Sequence, residues 1–160
     1  MQLKVSLTSL ALVALTSTSL AAQQPSSDKD LLFAAMHVYS LHKSVLGFGT
    51  SCKKWDADSA KRIEEGRTKW EKKNAALLAR ASEVLAKMGT KAQRAKLDAD
   101  LNAENRALEQ KTETAPLESR KQWCKDYPDR LETKFMDPQS QNPMAYQILM
   151  ESGATGATKR

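Results

Sequence analysis

The chain has 160 residues, with 25 lysines and arginines against 19 aspartates and glutamates and a formal net charge of +6. Aromatic content is 6%, six glycines and five prolines punctuate the whole, and no stretch alternates β-branched with polar side chains; this excludes a sheet-built fold and favours helices. Two cysteines and two histidines without local spacing exclude a structural zinc site, which needs about four ligands.

The N-terminus reads as an export signal. Residues 1–4 end in Lys4, residues 5–15 (VSLTSLALVAL) form an apolar run of 11, and small residues lead out through 16–22. Such a run is too short to span a bilayer as a helix. Ser19 and Ala21 occupy the −3 and −1 positions of a cleavage site, so residues 1–21 are expected to be a removable signal peptide. Lys4 is the only charge in that segment, so the remainder keeps 24 basic against 19 acidic residues, a net of +5. About 139 residues then remain, enough for one domain with a real core. No cysteine follows the cleavage region to accept a lipid, and no second apolar run reaches spanning length. The expected location is the periplasm or the medium.

Residues 22–27 form a polar leader, and Ser27 with Asp30 is a shortened capping box for a first helix. In residues 31–46, Leu32, Ala35, Tyr39 and Leu46 share one face, and Leu31, Ala34, Val38, Leu41 and Val45 the next. So broad a stripe describes a central helix packed on more than one side. Gly47 and Gly49 are expected to end it, with Cys52 in the following turn and Trp55 opening the next element. Asp56 or Asp58 should cap a long second helix running to Met88 and stopped by Gly89. Its seam, Ile63, Arg67, Trp70, Asn74, Leu77, Ala81, Val84 and Met88, alternates steps of four and three, the period of a helical hairpin or bundle. Thr90 and Gln93 make a capping box for a third helix bearing Leu97, Leu101 and Leu108, expected to lie antiparallel to the second and half solvated. A fourth helix should start at Pro116, capped by Thr114, and carry Trp123 and Cys124. Pro128 should end or kink it, with Asp126 capping a short continuation through Leu131 and Phe135. Asn142-Pro143 opens a last short helix, MAYQILM, closed by Gly153, and residues 153–160 read as a disordered tail. The expectation is one all-α domain over residues 22–152, an irregular four- to five-helix bundle.

Export also decides the cysteines. Cys52 and Cys124 stand 72 positions apart, and two thiols in one small exported domain usually pair. Closing a loop of that length stabilises by roughly 4 kcal/mol on the chain-entropy model. A redox pair would be Cys-x-x-Cys, which is absent. A catalytic thiol needs a base, and no histidine lies near either cysteine. A structural disulfide is the expected outcome.

Few residues suggest chemistry. His37 and His42 point about 140° apart on a helix and cannot share one metal. No phosphate loop, nucleophile elbow or dinucleotide fingerprint occurs. No cofactor and no catalytic residue is therefore expected. Lys53, Lys54, Lys61, Arg62, Lys69, Lys72, Lys73 and Arg80, with Trp55 and Trp70 among them, could serve an anionic polymer. Asp56, Asp58, Glu64, Glu65 and Glu71 interrupt that stretch, which favours a mixed-charge solvated face. The most suggestive group is Arg67, Trp70 and Asn74, one helical turn apart in the seam, with Lys73 beside them. They read either as a register-fixing part of the core or as a groove with Trp70 as its anchor.

Cys52, Trp70-x-x-x-Asn74, Trp123-Cys124-x-x-Tyr127-Pro128-x-x-Leu131, Asp137-Pro138 and Asn142-Pro143 together resemble small exported α-helical proteins of Proteobacteria that have a cysteine pair and no assigned activity. The resemblance covers roughly residues 50–150; it implies export, helices and a bridge, and no substrate. In plan, though not in motif, the chain is also similar to periplasmic immunity proteins that block toxic envelope enzymes. The expected function is non-enzymatic: binding another envelope or secreted protein, as inhibitor, immunity factor or chaperone-like adaptor. The alternative is a binder of an anionic envelope polymer such as lipopolysaccharide, an enzyme stands third, and no nucleic-acid partner is expected.

Overall fold

Ser27 has extended backbone, its hydroxyl accepts the Asp30 N–H, and the Asp30 carboxylate accepts the Ser27 N–H, completing the capping box read from the sequence. In the computed structural model, which describes residues 27–154, this box starts α1, Asp28–Trp55. The helix does not stop at Gly47 and Gly49 but passes through both. Neither glycine has a positive φ; Gly47 is closely approached, whereas Gly49 has ordinary contact distances around it. A Cβ on Gly47 would lie 2.7 Å from the Asn105 amide, and one on Gly49 3.6 Å from Ile63. Packing of α1 in its two cores thus carries the helix through both glycines, each a helix cost of about 1 kcal/mol.

A 3-10 turn, Ala57–Ser59, follows, with the Ser59 hydroxyl on the Asp56 carboxylate. The single second helix expected from the seam is two: α2, Ala60–Lys73, and α3, Ala75–Met88. The break is Asn74. Its side-chain Nδ2 donates to the Trp70 carbonyl at 2.9 Å, sharing that oxygen with its own backbone N–H at 3.1 Å. Asparagine competes with the helical ladder in this way, so one residue interrupts the rod. The seam itself survives the break, with Ile63, Trp70, Asn74, Leu77, Ala81 and Val84 all buried.

α4, Lys91–Glu113, begins at the Thr90–Gln93 capping box. It buries only Leu101 and Thr112 and lies mainly against α1, not beside the second helix as expected. α5, Leu117–Leu131, has Pro116 as its N-cap instead of its first residue, because the Thr114 hydroxyl turns back onto the Lys111 carbonyl at 2.7 Å. α5 continues through Pro128 to Leu131 and then gives way to turns, so Phe135 is not helical. Pro128 is buried against Gly66 of α2, where an added Cβ would come within 2.9 Å of the proline ring. α6, Pro138–Gln141, is a single capped turn that the sequence did not reveal. α7, Pro143–Ala154, follows Asn142, whose side-chain oxygen accepts the Ala145 N–H at 3.0 Å. Gly153 and Ala154 therefore belong to a helix and not to a tail. The expected signal peptide (residues 1–21), residues 22–26 of the polar leader and residues 155–160 of the expected tail lie outside the described residues.

α1 is the common wall of two cores. Its N-terminal half packs Ala34, Ala35 and Val38 against Leu77, Ala81, Val84 and Leu85 of α3 and Ala145 and Leu149 of α7. Its C-terminal half packs Leu41, Val45, Cys52 and Trp55 against Ile63 and Trp70 of α2 and Cys124, Tyr127 and Leu131 of α5. Cys52 and Cys124 are bonded, fully buried and 5.2 Å apart at Cα, which ties the end of α1 to α5. The fold is an all-α bundle tied by one disulfide. No helix of the described residues is long and apolar enough to cross a membrane.

Candidate functional site

The residues singled out by the sequence are brought together, but mostly inward. Trp70 is 3% exposed, its indole N–H donates to the Met136 carbonyl at 2.8 Å, and the His42 ring stacks over it at 6.1 Å between centroids. Asn74 is buried and spends its amide on the Trp70 carbonyl. Arg67 holds the Glu64 carboxylate, and Lys73 reaches Asp137 at 3.1 Å. A groove anchored on Trp70, with Arg67 and Asn74 as free hydrogen-bonding groups, is therefore not present. Trp70 gives only an edge to a hollow of about 260 Å³ that Gly66, Lys69, Lys73, Leu131 and Glu132 also line. The correction has a plain cause: a seam of period 3.5 faces the neighbouring helix, and the one polar atom of the indole finds its partner within the fold.

The basic residues of the second helical region are mostly neutralised. Lys53 pairs with Glu64 at 2.6 Å, Lys54 with Glu109 and Glu113 at 3.2 and 2.7 Å, Arg62 with Asp129 at 2.8 Å and Lys69 with Glu132 at 2.6 Å. The Lys53 and Arg67 contacts hold the Glu64 carboxyl below its ordinary range. His42 lies 2.9 Å from the Glu71 carboxylate. Among the described residues no group of three or more His, Cys, Asp and Glu is placed to hold a metal ion.

Two displaced titrations belong to ties between elements. Burial pushes the Tyr127 phenol well above its usual value, and its hydroxyl donates to the Val45 carbonyl at 2.7 Å. The Tyr39 hydroxyl donates to Asp98 at 2.6 Å and, with Lys43 at 3.3 Å, holds that carboxyl down, joining α1 to α4.

The open surfaces lie elsewhere. Phe33 is 65% exposed and Met36, one turn on, is at the margin of exposure. Beside them Leu32 and Met36 of α1, Leu85 at the end of α3 and Leu97 of α4 line an apolar groove of about 220 Å³. Its rim is polar but carries little free charge. Arg94 donates to the carbonyls of Leu85, Ala86 and Gly89 at 3.0–3.2 Å, capping α3, and Lys96 pairs with Asp100 at 2.9 Å. A second groove, about 260 Å³, lies between α1, α4 and the turn after α5, walled by Phe48, Leu108, Tyr127, Phe135 and Met136. The reading from sequence missed both grooves. A clue was present in α1: Phe33 and Met36 fall on neither of the two apolar faces assigned to that helix.

No protein-family profile, curated protein or solved structure matches this chain.

Proposed function

We propose that the protein is a non-enzymatic binding protein of the bacterial periplasm or medium that holds another protein, as an inhibitor, immunity factor or chaperone-like adaptor. The observation that supports this is the groove of Leu32, Met36, Leu85 and Leu97 with Phe33 standing exposed beside it. An apolar centre inside a polar rim is the anatomy of a protein interface. The occupant that suits it is the apolar face of a helix or loop from a partner protein, since the rim charges are already paired or committed to capping. The polymer alternative loses support from the same pairing, because Lys53, Lys54, Arg62 and Lys69 each face a carboxylate.

Site-specific photo-crosslinking in the expressing cell tests the reading. A photoreactive residue in place of Phe33 should give one defined protein adduct, and the same residue in place of the exposed Lys125 of α5 should not. Capture should persist when salt is raised from about 50 to 200 mM, where a many-phosphate contact would lose roughly a thousandfold or more. No protein adduct at Phe33, or steep loss with salt, would contradict it.

A further inference from the structure

We propose that the second groove is a binding site for a single-chain anionic amphiphile, a medium-length alkyl carboxylate being its simplest form. The walls are mainly apolar, with Ser44 and Arg130 as the polar residues of the lining: the rings of Phe48 and Tyr127 meet at 4.8 Å between centroids, and Leu108 and Phe135 form the outer lips, 51% and 72% exposed. The Phe135 lip is held in place, not merely left outside. The Gln141 amide donates to the Phe135 carbonyl and the Trp70 indole to the Met136 carbonyl. The backbone of the lip is thus held at two successive carbonyls, that of Phe135 at the surface and that of Met136 from the core, which lowers the cost of ordering the segment that carries these side chains.

Arg130 supplies the charge, and its surroundings leave it open. It lines the groove, and none of its side-chain nitrogens has a carboxylate partner among the described residues. The neighbouring acids of α5 and its end are committed elsewhere: Asp126 to Gln122 at 2.9 Å, Asp129 to Arg62 at 2.8 Å and Glu132 to Lys69 at 2.6 Å. A guanidinium fork next to an apolar trough calls for a planar anion attached to an alkyl chain, with the two carboxylate oxygens on the fork and the chain between Phe48 and Phe135. At roughly 30 Å³ for a group the size of a water molecule, the volume of about 260 Å³ holds about eight chain carbons. The Leu32–Met36 groove lacks such a cation, since Arg94 is consumed by three carbonyls. This site is thus distinct from the protein-docking groove and does not depend on it.

Octanoate and octan-1-ol are suitable probes, titrated into the folded, disulfide-intact protein and followed by amide chemical shifts. Octanoate should saturate with shifts centred on Phe48, Leu108 and Phe135, and should bind about tenfold more tightly than the alcohol, as a charge-assisted hydrogen bond implies. Arg130→Gln should erase that difference while leaving the melting temperature unchanged, and Phe135→Ser should weaken both ligands. Three results would overturn the assignment: no saturable octanoate shift, shifts centred on the Leu32–Met36 groove, or an unchanged octanoate-to-octanol ratio in Arg130→Gln.

Discussion

Trp70 shows how much one residue's meaning depends on what lies across from it. Its place in the seam was legible, because the alternation of fours and threes needs only local sequence. Its role was not, because the carbonyl that satisfies its indole belongs to Met136, 66 residues later. With that contact made, Trp70 is core. Trp70→Ala should lower unfolding free energy by about 3–5 kcal/mol in urea titrations, the usual cost of deleting a buried tryptophan. Trp70→Phe should cost about 1–3 kcal/mol, much of it from leaving the Met136 carbonyl without its donor. A Trp70→Ala protein within about 1 kcal/mol of the parent would remove Trp70 from the core.

At the level of elements, the caps at Ser27 and Thr90 were readable because a capping box spans only four residues and is self-contained. Two boundaries were misread where a distant partner decides, Gly47 against Asn105 and Pro128 against Gly66, and a third where a local one does, at Asn74, whose amide bonds the Trp70 carbonyl. The two glycines make a paired test. Ala in place of a helical Gly ordinarily stabilises by about 0.5–1 kcal/mol. At Gly66 the new methyl meets Pro128 at 2.9 Å from its Cβ and 3.1 Å from its backbone Cα, a ring that cannot swing aside. Gly66→Ala should therefore destabilise by about 1–3 kcal/mol. At Gly47 the obstacle is the end of a flexible Asn105 side chain, so Gly47→Ala should be near neutral. Thermal melts of the two variants should separate clearly, and equal melts would mean that α2 and α5 are not as close as described.

The α1–α4 attachment has its own pH dependence. The Tyr39 hydroxyl, ahead of Lys43, lowers the Asp98 pKa in the folded state. A depressed carboxyl contributes stability that is present above its unfolded value, about 3.9, and is lost as pH falls through the folded value. Hydrogen exchange in α4 should therefore accelerate below about pH 4. Asp98→Asn should abolish that step without changing α3. An α4 whose protection is flat down through that range in the parent protein would rule the tie out. The effect should be modest, because the Asp98 side chain is 43% exposed.

For the whole molecule, the helical class and the bridge were legible for physical reasons that need no partner. Low aromatic and glycine content with 3.5-residue periodicity specifies helices, and one thiol pair behind a segment read as an export signal leads to the expectation of a staple. How the helices close was not legible, since α1 serves two cores at once and leaves Phe33 and Met36 outside both. The fully buried bridge joins α1 to α5 in one of those cores. Thiol labelling of unfolded, unreduced protein should find no free sulfur, and Cys52→Ala and Cys124→Ala should each cost about 2–5 kcal/mol. Labelling of two thiols would overturn the bridge.

Binding at the Leu32–Met36 groove, separate from the Trp70 core, is most directly tested by measuring partner capture and melting together in Met36→Asp. Met36 lies at the surface of α1, so the melt should match the parent while capture falls at least tenfold, as for an anchor in an apolar interface. Undiminished capture by a Met36→Asp protein of parental stability, or capture lost only in step with its melting, would contradict it.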